Sequence, residues 1–160
     1  PPATSTGDAC GIVAVGMCAD GKGWVLADES VAGQSPEGWA RAVAVAAARW
    51  QADRVIAEKN NGGEMVESVL RAADVSMPVR LVHASRGKVP RAEPVAALYE
   101  KGRVHHAGAF PALEDELCGL IAGGAYEGPG RSPDRADALV WALTELMLGK
   151  KRDGPRVRVV

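Results

Sequence analysis

Val55-Ile56-Ala57-Glu58-Lys59-Asn60-Asn61-Gly62-Gly63 decides the architecture. Val-Ile-Ala is a short apolar run of the kind that fills a buried strand. The Asn/Gly stretch ends it. Gly62-Gly63 then opens a helix, expected over about Glu64–Ala73 with Met65, Val69 and Ala72 or Ala73 facing inward. Strand, loop and helix in that order are one crossover of an α/β sheet. Side chains alternate along a strand, so Glu58 shares a sheet face with Ile56. In open α/β sheets ligands bind beyond the carboxyl ends of strands, where Glu58 stands. Two readings stay open for it: a functional carboxylate, or a strand-end acid that is in solvent or paired with Lys59 or Arg54.

Upstream, Cys10–Cys18 reads as a strand, and Trp24–Asp28 returns as its antiparallel partner after the turn Ala19-Asp20-Gly21-Lys22-Gly23. Ser35-Pro36-Glu37 is a helix start: a capping serine, proline at the first helical position and an acid in the first turn. That helix runs to about Ala52, with Trp39, Val43, Ala46, Ala47 and Trp50 at core spacing. Downstream come a strand at Val79–Ala84, a basic loop at Ser85–Arg91, a helix at Ala92–Lys101, an edge strand at Gly102–His106 and an amphipathic helix at Leu113–Leu120. Gly123–Gly130 is a glycine-rich loop. Ser132-Pro133-Asp134 repeats the helix-start pattern and launches a helix to about Leu148. The expected class is α/β, a mixed sheet with an antiparallel hairpin and parallel strands flanked by helices. Residues 1–160 are expected to form one domain ending in a basic tail at residues 150–160.

The second acidic segment, Ser132-Pro133-Asp134-Arg135-Ala136-Asp137-Ala138-Leu139-Val140-Trp141, puts two carboxylates on the opening turns of an apolar helix. Their i, i+3 spacing places them on one face. The helix dipole alone would favour Asp134. Asp137 borders buried surface, where a carboxylate needs a partner. Arg135 is poorly placed, because i, i+2 neighbours point apart. A divalent cation suits such acids, since Mg²⁺ is held by one or two carboxylates plus phosphate oxygens. Arg86, Lys88 and Arg91 in the basic loop can hold phosphate or simply be solvated.

Other chemistries are excluded or weak. The P-loop pattern G-x-x-x-x-G-K-[ST] is absent, and so is a G-x-S-x-G elbow. His83, His105 and His106 lack metal-ligand spacing, and His83 reads as a core or sheet-face residue. Cys10, Cys18 and Cys118 are too scattered for a disulfide framework or a zinc site. With a net charge of −1 the chain has no global basic field, so DNA contact would need a local patch. No apolar run approaches the ~18 residues of a membrane span.

With these residues laid out, the chain resembles the C-terminal nuclease domain of the large terminase subunit, the DNA-packaging motor of tailed phages, prophages and gene transfer agents. The segments are VIAEKNNGGEMV (Val55–Val66), HASRGKVPRAEPVAALYEKGRVHHAGAF (His83–Phe110), LEDEL (Leu113–Leu117) and SPDRADALVWALTEL (Ser132–Leu146), in the expected order. The resemblance implies a ribonuclease H-like fold and a metal-dependent endonuclease that cuts concatemeric DNA during headful packaging. It implies Mg²⁺ or Mn²⁺ in a two-metal site, one ion activating water and one stabilising the leaving oxygen, about 3.5–4 Å apart. The family's central-strand acid falls on Glu58 and its helix acids on Asp137 and, in some members, Asp134. Asn60 is counted with the site, and Arg86, Lys88 and Arg91 with DNA binding. Implied partners are double-stranded DNA, an upstream ATPase domain, the portal and the small terminase subunit, in the cytoplasm of a bacterial host.

One departure bears on activity. In the family the first metal-binding aspartate ends the first strand just before a Pro-Pro or Pro-Ala pair, and this sequence starts at Pro1-Pro2. Asp8 matches a later loop residue and is not assigned catalysis. The chain as given is therefore expected to be weak or inactive, with an unpaired sheet edge or gap where that strand would lie. Two alternatives remain: another ribonuclease H-like nuclease of resolvase or transposase type, and a non-catalytic module that docks DNA or a packaging partner.

Overall fold

The computed structural model describes residues 9–59, 63–120, 125–130 and 132–149. Asn60, part of the glycine-rich loop and the basic tail lie outside them. The elements follow in the order β1 (Ala9–Cys10), β2 (Val13–Met17), β3 (Gly23–Asp28), β4 (Val31–Ala32), α1 (Pro36–Arg49), β5 (Val55–Glu58), α2 (Gly63–Ala73), β6 (Val79–Val82), α3 (Lys88–Glu100), β7 (Val104–His106), α4 (Pro111–Cys118) and α5 (Asp134–Leu143). A π-helical turn, Thr144–Leu148, continues α5. β2 and β3 form the antiparallel hairpin, β7 joins β3 in parallel, and β5 pairs in parallel with β6. Among the described residues β2 and β5 each pair on one side only, so hairpin and crossover strands stand as separate sheets. The α/β class expected from the sequence, with antiparallel and parallel strands flanked by helices, is the class observed.

The core has two halves. One gathers Val13, Val15, Val25, Val95, Val104, Leu113, Leu139, Val140 and Leu143 between the hairpin sheet and helices α3, α4 and α5. The other gathers Trp39, Val43, Val55, Val66, Leu70 and Met77 around α1 and α2. Strand β5 divides them. Ile56 packs toward the α5 half, while Val55 and Ala57 serve the α1–α2 half. Strand alternation then turns Glu58, like Ile56, toward α5.

Several boundaries differ from the sequence reading. The first strand is split at Gly11-Ile12, because Gly11 lies against the backbone of α5, where a Cβ would collide with the Asp134 carbonyl. In α2 the buried positions are Val66 and Leu70, and Met65 is 48% exposed, so the inward face is one residue out of phase with the expected one. Ala72 and Ala73 are likewise exposed. His83 is exposed in the loop after β6. The basic loop is shorter than expected. Helix α3 begins at Lys88, so Lys88 and Arg91 are helical. Pro90 falls in the first turn, where its missing N–H costs no intrahelical bond. Ser35 caps α1 as expected, its Oγ accepting from the Gly38 N–H at 3.2 Å. Ser132 does not repeat that role, since its hydroxyl donates to Asp134 Oδ1 at 2.7 Å.

Candidate metal and nucleic-acid site

α3 and α5 bring their first turns together. Each carries an i, i+3 pair on the facing side: Lys88 and Arg91 on α3, Asp134 and Asp137 on α5. Lys88 Nζ donates to Asp134 Oδ1 at 3.0 Å and to Ser132 Oγ at 2.6 Å, and stands 3.8 Å from Asp137 Oδ2. Arg91 Nη2 donates to Asp137 Oδ1 at 2.7 Å, and its Nη1 reaches the end of β5 to donate to Glu58 Oε1 at 3.1 Å. The guanidinium lies over the Trp141 ring, 4.9 Å from its centroid. Trp141 is one turn beyond Asp137, so both line one stripe of α5.

The cluster is largely shielded from water. The side chains of Asp137, Arg91 and Glu58 are 7%, 11% and 16% exposed. Burial pushes the Asp137 carboxyl above the usual aspartate range and outweighs the nearby Arg91 and Lys88, which pull it down; Glu58 adds to the rise. Carboxylates in such a setting need cationic compensation, and the two helix N-termini add to it. Among the described residues the cationic partner of Glu58 is Arg91, and not Lys59 or Arg54. Arg54 instead pairs with Glu145 at 2.7 Å.

The structure thus brings Glu58 and Asp137 onto one cation. Asp134, expected beside them as a ligand, accepts from Lys88 and Ser132, and the same Lys88 stands 3.8 Å from Asp137. Among the described residues no three His, Cys, Asp or Glu side chains come together as a metal-holding group. Arg86 is exposed and lines a cleft of about 220 Å³ with Ser85, Pro90, Arg91, Pro94 and Trp141.

A second network was not foreseen. Glu116 on α4 is buried, and its Oε2 accepts from the backbone N–H groups of Arg135 (2.8 Å) and Ala136 (3.1 Å). It is the cap of α5, supplied from another helix. The Arg135 side chain returns to Glu116 Oε1 at 3.2 Å and to Asp28 Oδ2 at 3.0 Å. One signal was available: Glu116 stands three residues after Leu113, an acid on the buried stripe of α4. These contacts set the position of the helix turn bearing Asp134 and Asp137.

An antiparallel hairpin and parallel crossover strands, with acids at a strand end and on a late helix, are the arrangement of a ribonuclease H-like domain. The chain belongs to the terminase RNaseH-like domain family, whose model matches residues 1–146. Among curated proteins no match is found. Among the described residues no helix is long and apolar enough to cross a membrane.

Proposed function

We propose that this domain is the DNA-cutting part of a terminase large subunit, a divalent-metal-dependent endodeoxyribonuclease acting on concatemeric DNA during headful packaging. The observation that carries the reading is the convergence of Glu58 and Asp137, from β5 and α5, on a single cation. The donor set fits Mg²⁺ or Mn²⁺: two carboxylates from the protein leave the remaining positions to water and phosphate oxygens. When bound, such ions supply an activated water and stabilise the leaving oxygen. The chain's own residues do the rest. Glu58 and Asp137 would hold the ions, and Glu116 fixes α5 so that Asp137 stays aimed at β5. Lys88 keeps Asp134 in the cluster. Arg86, at the mouth of the cleft, would meet the DNA backbone, with Lys88 and Arg91 behind it. Asn60, two residues after Glu58 in the sequence, is counted with the site in this reading.

The setting consistent with this role is the host bacterial cytoplasm, with an ATPase domain, portal and small subunit as partners and a phage, prophage or gene transfer agent as source. The test is Mn²⁺ titration of this chain together with plasmid cutting by the full-length large subunit. Wild type should bind Mn²⁺ and cut, and Glu58→Gln and Asp137→Asn should do neither. Cutting by both variants at the parent's rate would sink the assignment.

A further inference from the structure

Arg91 uses its guanidinium in an incomplete way. Nη1 and Nη2 each hold one carboxylate, but among the described residues Nε is buried without an acceptor. An unmade bond at a buried donor is costly, so this placement is not the tightest available to an arginine. The oxygens it holds, Glu58 Oε1 and Asp137 Oδ1, are the ones that converge from β5 and α5. A divalent ion taking them would meet a positive guanidinium in a poorly hydrated site, and the two cations repel there more strongly than in water.

The side chain also has somewhere to go. The cleft of about 220 Å³ starts at Arg91 itself, with Pro90, Pro94 and Trp141 as apolar walls and Ser85 and Arg86 among its lining. One water takes up about 30 Å³ of liquid, so the space holds a guanidinium and several waters. The walls suit the apolar stem of arginine, which packs while its head reaches water.

We propose that the Arg91 guanidinium is the resident cation of the Glu58–Asp137 site, that a divalent ion must displace it to bind, and that the displaced side chain moves into the Ser85–Arg86 cleft to join Arg86 in holding a DNA backbone phosphate. This rests on Glu58 and Asp137 being the ion-holding carboxylates. Arg91 then sets the metal affinity of the site and couples it to DNA: phosphate in the cleft draws Arg91 out and favours the ion, and the ion frees Arg91 for phosphate. Such coupling is reciprocal.

Calorimetric Mn²⁺ titration of the whole chain tests this, with Arg91→Gln, Arg91→Lys, Glu58→Gln and Asp137→Asn beside wild type. Arg91→Gln should bind Mn²⁺ at least about tenfold more tightly than wild type. It should also melt lower without Mn²⁺ and gain more in Tm when Mn²⁺ is added. Arg91→Lys should fall between the two, because a point ammonium cannot bridge both carboxylates as a planar fork does. Equal or weaker Mn²⁺ binding by Arg91→Gln overturns the proposal, and so does absence of binding in both proteins. If Arg91→Gln does not fold, Arg91→Lys decides: tighter binding than wild type supports the exchange, and equal or weaker binding ends it. Loss of Mn²⁺ binding in Glu58→Gln and Asp137→Asn without a gain in the Arg91 variants removes only the exchange. Wild-type binding by those two carboxylate variants removes the site itself.

Discussion

Arg91 and Arg135 each bridge two carboxylates delivered by different elements, yet the two networks differ in kind. Around Arg135 every group has a second task. Glu116 caps α5 through two backbone N–H groups, Asp28 also accepts from the Ser30 N–H at 3.1 Å, and the guanidinium ties α5 to both β3 and α4. Around Arg91 the carboxylates have cationic side chains as partners, and among the described residues one donor of the arginine has no acceptor. A network woven into the backbone is structural. One in which side-chain charge answers side-chain charge can trade its cation for another. The contrast teaches where to look for function within a set of buried ion pairs that distances alone would rank as equals.

That contrast can be broken most strongly at Glu116. Glu116→Ala should cost about 3–5 kcal/mol in urea unfolding, the usual result of breaking a buried pair. Glu116→Gln, which keeps a capping oxygen, should lose less. Asp137→Asn should leave the urea midpoint close to wild type. In the full-length subunit it should lower plasmid cutting by more than the roughly 10–100-fold typical of removing a group that only supports a ligand. A large stability loss there would place Asp137 with the structural network instead.

Gly11→Ala probes the join between the networks, since a methyl at that position has to push against the Asp134 carbonyl. Overpacking of this sort costs about 1–3 kcal/mol, and here it should also weaken Mn²⁺ binding by shifting the first turn of α5. Unchanged Mn²⁺ affinity in a folded Gly11→Ala protein would show that α5 tolerates the shift.

The smallest effect belongs to a third cluster. Glu114 Oε1 accepts from the Phe110 N–H at 3.1 Å and from His106 Nδ1 at 3.0 Å, and the other nitrogen of His106 is 2.7 Å from the Tyr99 hydroxyl. An ionised carboxylate only accepts, so Nδ1 carries the proton in this chain of contacts. The Phe110 N–H first, and His106 second, hold the Glu114 carboxyl below its ordinary value of 4.5. The folded state therefore binds this proton less tightly than the unfolded chain. Its stabilising contribution is present above pH 4.5 and is lost as pH falls through the lower folded value. Glu114→Gln should flatten that part of an acid-unfolding curve, and a curve identical to wild type would count against the contact.

What the sequence revealed follows the range of the interactions. Alternation along Val55–Glu58 and the i, i+3 spacing of Asp134 and Asp137 are local, and both were legible. The mixed α/β class was legible from the order of elements, and its ribonuclease H-like form only from the resemblance carried by the ordered family segments. The sequence reading puts Lys88 and Arg91 in a loop, yet Pro90 sits in the first turn of α3, where proline is tolerated. Ser132 was taken for a cap because serine before Pro-Asp usually is one. The cap that forms, Glu116, lies far back in the chain, and local pattern cannot show a partner brought by folding. Met65 was placed inward by a one-residue error in phase, which on a helix rotates the face by more than a quarter turn.

The two ends of α5 are secured differently. Its continuation carries Glu145, which pairs with Arg54 just ahead of β5 and with Arg80 in β6, while Asp137 meets the far end of β5 through Arg91. Helix and strand therefore lie head to tail, fastened at one extremity by two arginines and at the other by a single exchangeable one. Because Glu116 and Arg135 also hold the first turn of α5 to α4 and β3, admitting an ion or a phosphate at the acidic end calls for movement of the Arg91 side chain and leaves the helix itself in place.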